Sequence, residues 1–273
     1  MSQDVSDAFI SQFESEVHVA YQRMGSKLRN LVRQKNNING LDTTFQIMSA
    51  GNAVQKARHA EAPPMNVTHS NVTCTLGDWY APDYVDTLDE YKINIDERGT
   101  LANNGAYALG RKTDELITDV MAGATNTTAH GSAGLTQAKI NTVFESFGNN
   151  DVPDDGDRYW AVSPNAWIDL LSLDPFANAD YVGAGELPYA GGMTAKRFMG
   201  FMFFGFSGLP LATADRDTYA WHKSAIGHAS GADVKTEINY IPEKVSFFIN
   251  SMMSQGAVVI DHTGLYEVHV DES

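Results

Sequence analysis

A single cysteine, Cys74, stands among 273 residues, which excludes an intramolecular disulfide and points to synthesis in a reducing compartment. Basic side chains are also few: 19 Lys and Arg face 34 Asp and Glu, a formal charge of −15 at pH 7. That balance excludes a broad phosphate-binding surface, which needs clustered cations. Long hydrophobic runs are missing too. The most apolar stretch, 198–211, holds three glycines and a proline and is too short to span a bilayer as a helix, so no membrane partner is expected. The opening Met1-Ser2-Gln3-Asp4 carries acid where a signal peptide carries basic residues, and no signal peptide is expected. The glycosylation sequons at Asn66, Asn71 and Asn126 therefore carry no meaning.

Catalytic and ligand motifs are likewise missing. No Walker lysine follows a glycine-rich loop. His222 and His228 lie six apart, the wrong spacing for one helix face, and no glutamate joins them as in a zinc protease. Gly205-Phe206-Ser207-Gly208-Leu209 half-matches a nucleophile elbow, but Leu209 stands where the strained turn needs glycine. Asp151 to Val162 begins like a calcium loop, yet Pro153 takes a ligand position and Val162 the place of the bidentate glutamate. Cys74 has no neighbouring His or basic residue and reads as a weakly buried thiol. The Phe- and Met-rich run 198–206 reads as buried strand in preference to a ligand pocket. No catalytic, cofactor or metal residues are expected.

What is present is a hydrophobic content of 43% and a charged content of 19%, those of a folded chain with room for a sizeable core. Asp7 can cap a helix whose stripe is Ile10, Phe13, Val17, Ala20, Met24, Leu28 and Leu31, stopped by Asn36 to Gly40. Residues 41–80 have few large apolar side chains and read as an extended two-stranded arm with Val67, Val72, Cys74 and Leu76 as contacts. Thr100 can cap a long helix to about Gly123, with Ala102, Ala106, Leu109, Thr113, Leu116 and Val120 as its buried seam. Residues 124–134 read as a flexible connection. Leu135 to Phe147 has helical spacing, 151–157 turn chemistry, Arg158 to Ser163 strand alternation, and Pro164 opens a further helix with Trp167, Ile168, Leu170 and Leu171. The charge is uneven: residues 21–60 carry +6 and residues 61–273 carry −17.

The block Val152-Pro153, Gly156, Arg158-Tyr159, Val162, Pro164 and Leu170-Leu171 resembles the major capsid proteins of tailed bacteriophages. Tyr80 to Ile95, Gly105 to Ile117, Phe201 to Pro210, Tyr219 to Gly227 and Gly256 to Asp261 resemble further segments of that family, in the family's order. The resemblance covers roughly residues 40 to 270. It implies an α+β chain with the Hong Kong 97-type capsid fold: an N-terminal arm (1–40), an extended loop with flanking strands (41–95), a peripheral domain with a long spine helix (96–150), an axial domain (151–232), and peripheral return strands (233–273). It further implies a coat protein, not an enzyme, that forms pentamers and hexamers of itself and closes an icosahedral head in the host bacterial cytoplasm. The implied partners are scaffolding, portal and decoration proteins, and enclosed double-stranded DNA bound without sequence specificity. A bacterial nanocompartment shell is the alternative within the same fold, and a serine hydrolase using Ser163 or Ser207 with His222 the alternative outside it. The subunit-interface candidates are Lys56 and Arg58 near the loop tip and Asp114, Glu115 and Asp119 beside the helix seam.

Overall fold

The computed structural model describes residues 22–90, 96–177, 192–212 and 215–272. The chain opens with β1 (Arg33–Lys35), β2 (Asp42–Met48), β3 (His69–Thr75) and β4 (Gly77–Asp86). Then come α1 (Thr87–Glu90), the long α2 (Glu97–Met121), β5 (Asn126–Thr128) and α3 (Gln137–Asn149). The middle holds β6 (Arg158–Val162), α4 (Pro164–Leu171), α5 (Asp174–Ala177), β7 (Lys196–Phe198), β8 (Phe201–Gly205) and β9 (Leu211–Ala212). It closes with β10 (Asp215–His222), β11 (Ile226–Ile241), β12 (Ser246–Val259) and β13 (Leu265–Asp271). Two compact units result, one from residues 22–25, 79–111 and 234–253, the other from 26–78, 112–233 and 254–272.

The larger unit is built on a seven-stranded sheet in the order β5-β13-β10-β6-β8-β7, with β9 pairing β10. Both faces of its middle are buried, so β6 alternates between two cores in place of core and solvent. Trp160 and Val162 enter one cluster with Phe147 of α3, Trp167 and Leu170 of α4, Phe176 and Phe203. Ala161 enters the other with Tyr219, Trp221, Leu28, Val32 and the α2 residues Ile117 and Met121. Pro164 occupies the first turn of α4 as its sequence requires, and the Ser163 hydroxyl accepts from Ala166 N at 3.0 Å. Ile168, expected on the buried stripe, is 64% exposed; the eight-residue helix turns only Ala166, Trp167 and Leu170 inward. Phe144 likewise faces solvent.

Lys139 is buried on α3, and its ammonium shares its three protons among four carbonyls at 2.7–3.0 Å: His130, Ala133, Gly134 and His269. It thus ties the 130–134 turn to β13. The connection 124–134 is not free of structure, because β5 pairs parallel with β13 from Asn126↔Tyr266 to Thr128↔Val268. The closing segment also differs from expectation: β13 sits between β5 and β10 in this sheet, while 234–253 belongs to the smaller unit.

In the smaller unit, α2 lies against β12. Gly105 makes that approach possible, since a Cβ there would meet Ser251 Oγ at 2.7 Å. Asp96, not Thr100, caps the helix: its carboxylate accepts from Gly99 N at 3.1 Å, and the Thr100 hydroxyl donates to the Asp96 carbonyl. Arg98 lies over the Phe247 ring and Lys244 over Tyr84.

Two expectations about helices are corrected. The part of the N-terminal helix before residue 22 lies outside the described residues. From Gln22 onward the chain is irregular, with only a short 3-10 turn at Arg29–Leu31 before β1. The cause is local: Asp114 takes the N–H groups of Lys27 and Leu28, so they are not free for helical bonds, and Gly25 has φ +70°. The buried face of α2 is also turned by one residue from the expected seam. Leu109, Thr113, Ile117 and Met121 are buried, an i+4 row, while Leu116 and Val120 are half-buried.

Candidate assembly surfaces

β2 and β3 form the expected two-stranded arm, antiparallel from Asp42↔Thr75 to Met48↔His69. Its base is not free. Phe45, Cys74 and Leu76 pack with Ala229 and Ile260, and Gly227 leaves the Phe45 ring its seat, because a Cβ there would lie 2.8 Å from it. Burial pushes the Cys74 thiol up to about 11, which removes it as a nucleophile near neutral pH. Beyond Met48 the pairing ends with Ser49 N bonding the Thr68 carbonyl at 2.9 Å. The connecting loop runs fully exposed from 50 to 66 and has no regular secondary structure. Lys56 and Arg58 lie in it, exposed, and neither has an ion pair among the described residues.

The acidic flank of α2 is divided by the structure. Asp114 is completely buried: its carboxylate accepts from Ser26 Oγ at 2.6 Å and from the Lys27 and Leu28 amides at 3.0 Å each. It anchors the incoming chain inside its own subunit and offers no surface for docking, which corrects its place among the interface candidates. Glu115 is exposed and pairs with Lys112 at 2.7 Å, one turn away. Asp119 is exposed. Arg29 pairs with Asp233 at 2.8 Å, and Trp221 Nε1 donates to the Leu31 carbonyl at 2.9 Å. Much of the basic segment 21–35 is thus spent holding the chain to itself.

A second surface was not legible in the sequence. In the smaller unit Tyr80, Leu88, Ile238, Tyr240 and Val245 are between 47% and 64% exposed. Of these, Tyr80 lies on β4 and Ile238 and Tyr240 on β11, and large apolar side chains at strand positions read as core from the sequence.

The residues named for a hydrolase do not meet. Ser163 Oγ is held by Ala166 N and the Glu272 carboxylate. His222 contacts Ser224 Oγ at 2.7 Å through Nδ1 and Asp155 at 3.1 Å through Nε2. The Asp155 carboxyl is held below its ordinary range, first by the Asp157 backbone N–H and then by His222. This clamp ties the 151–157 turn to the end of β10, and neither Ser163 nor Ser207 enters it.

A family model for phage capsid proteins matches residues 5–272. The chain belongs to the phage capsid protein family. No curated protein matches it. Solved structures share the fold: the capsid of the cyanophage P-SCSP1u is 18% identical over 100% of this chain and 96% of that one, with TM-score 0.79. A chain of Mycobacterium phage Che8 is 18% identical over 95% and 97%, TM-score 0.75, and the mature capsid of bacteriophage PhiM1 is 14% identical over 99% and 96%, TM-score 0.74. The α+β architecture is therefore the Hong Kong 97-type fold, and this is a major capsid protein, a structural component of the phage head shell. The nanocompartment alternative is not favoured.

Proposed function

We propose that this capsid protein closes its shell with the exposed loop 49–68 of one subunit lying on its neighbour. Residues 151–232 act as the axial domain at the centre of pentamers and hexamers, in heterologous contacts that close into rings. The apolar face around Tyr80, Ile238 and Tyr240 and the N-terminal arm join rings to one another. Scaffolding, portal and decoration proteins are the further partners, assembly takes place in the host bacterial cytoplasm, and the enclosed double-stranded DNA is held without sequence readout. No catalytic step is needed. The observation that carries this reading is the loop itself: a 20-residue connection whose cations have no partner within the described residues needs a surface outside the subunit.

Lys56 and Arg58 dock on the exposed acids of the neighbour's α2, Glu115 and Asp119. Each such pair contributes about 0–1 kcal/mol, but repetition over every subunit makes assembly salt-sensitive. Lys56→Glu with Arg58→Glu should block particle formation while leaving the subunit folded, because neither side chain supports its own chain. Adding Glu115→Lys and Asp119→Lys should partly restore particles. Assembly of the loop variant at wild-type yield would overturn the docking role of the loop, and failure of the rescue would overturn this pairing.

A further inference from the structure

The sheet of the smaller unit leaves an apolar shelf beside α2. β11 and β12 are neighbours in it. Thr236 Oγ1 lies 2.8 Å from Ser251 Oγ, and the ring centroids of Tyr240 and Phe247 are 5.3 Å apart. Both contacts fit one antiparallel register, which also sets Ile238 opposite Ile249, and side chains directly opposite share a face. On β12 that face is covered. Ile249, Ser251 and Met253 are at most 3% exposed, Gly105 of α2 rests on Ser251, and Arg98 lies 4.4 Å over the Phe247 ring. On β11 the same face is open, with Ile238 47% and Tyr240 48% exposed. β1 pairs β11 from Gly227 to Ala229 and no further, so this stretch is a sheet edge among the described residues. One helix about 10 Å across covers two strands about 4.8 Å apart, and a second helix packed about 8–10 Å from α2 would lie on β11.

The chain carries a segment of matching chemistry next to this shelf. Gln22 is fixed on α2: its Nε2 donates to Asn104 Oδ1 at 2.5 Å, and Arg111 Nη1 donates to its Oε1 at 2.6 Å. The residues before it have helical spacing, with Ile10, Phe13, Val17 and Ala20 as an apolar stripe. Their charges are Asp4, Asp7, Glu14 and Glu16, with no Lys or Arg in 1–21. Glu14 and Glu16 flank the stripe on opposite sides, so one of them borders α2, whose Arg98 stands at the end of the shelf. From Gln22 back to Phe13 is about 14 Å of helix. The same rise along α2, from between Asn104 and Arg111, ends at Arg98, level with Phe247 and Tyr240. Phe13 therefore falls at Tyr240, and Val17 near Ile238.

We infer that residues 7–21 of the same chain form a second helix beside α2, seating Phe13 and Val17 on Tyr240 and Ile238. The seat also covers an edge strand whose free backbone groups would otherwise pair with other chains. The inference rests on the assembly role proposed for this arm and this face and deepens it. Arm and shelf meet within one subunit and present a combined surface to the next ring.

The test treats full-length protein carrying Val17→Cys with Ile238→Cys with a short bismaleimide, then separates products on a denaturing gel and maps them by peptide mass. An intrachain link between positions 17 and 238 is expected in most molecules, in assembled and unassembled samples alike. Val17→Cys alone sets the background from the buried Cys74. Ser15→Cys with Ile238→Cys, which puts the thiol on the polar side of the helix, should give little product. Amide exchange supplies a second reading: Phe13→Asp with Val17→Asp should speed exchange at 236–240 about tenfold. A covalent dimer in place of the intrachain link would move the arm to a neighbour's shelf, which overturns the own-chain seat and leaves the assembly role standing. No link at position 17, equal linking through position 15, or unchanged exchange at 236–240 would overturn the seat altogether.

Discussion

At the scale of single residues, Asp114 shows how far a side chain's role departs from its sequence neighbourhood. Beside Glu115 and one turn from Asp119 it reads as part of a solvated acidic flank, yet it is buried and receives three hydrogen bonds from residues 26–28. Nothing in a helical charge pattern announces a partner 86 residues earlier in the chain. Asp114→Ala leaves those donors unsatisfied and should cost about 3 kcal/mol in urea unfolding. Glu115→Gln, which loses an exposed pair with Lys112, should cost well under 1 kcal/mol. Similar losses from both would show that the anchor carries no stability. Lys139 was missed for the same reason: three of its carbonyl partners come from the 130–134 turn and the fourth from His269 on β13, 130 residues away.

His228 makes a second residue-scale prediction. It is buried on β11, with Nε2 3.1 Å from Gln255 Oε1, which also accepts from the Thr113 hydroxyl, and Nδ1 has no partner among the described residues. Burial lowers its pKa from the ordinary 6.5. Above pH 6.5 the imidazole is neutral in both states and has no effect. As pH falls below that, the unfolded chain binds a proton that the folded one refuses, so stability declines until the folded pKa is reached. The slope is at most about 1.4 kcal/mol per pH unit for this one group. Unfolding curves between pH 7.5 and 5 should show this loss in wild type and a smaller one in His228→Gln. Equal pH dependence in the two would remove His228 as its source.

At the scale of elements, existence was legible and phase was not. The long helix, the two-stranded arm, α3, the proline-led α4 and the central strand all stand close to where periodicity and turn chemistry put them. The phase of α2 failed because its apolar positions fit two adjacent rows, and only packing on Leu28, Val32 and Trp221 selects the one through Ile117 and Met121. Ile117→Asp should therefore abolish soluble folding, while Leu116→Asp, at a half-buried position, should leave folded protein. The reverse order in a solubility and circular-dichroism comparison would return the helix to its expected phase. β5 was missed because three polar residues, Asn126, Thr127 and Thr128, become a strand only through the neighbour they pair with.

For the whole molecule, family membership was legible in the order of short motifs, while the surfaces proposed to join subunits were only partly so. The loop announced itself by its lack of core residues. The exposed apolar residues of the smaller unit did not, since large apolar side chains read as core. The charge split also reads differently once placed: Arg29 pairs within its own chain, whereas Lys56 and Arg58 are exposed and have no ion pair among the described residues. Under the proposed docking, repeated weak contacts make closure of a shell a property of the assembly and not of one interface. Electron microscopy of the protein co-expressed with scaffolding and portal partners tests that most directly. Closed, hollow particles tens of nanometres across are predicted for wild type, and their loss for Lys56→Glu with Arg58→Glu. A wild-type protein that stays a compact monomer under all such conditions would contradict the account.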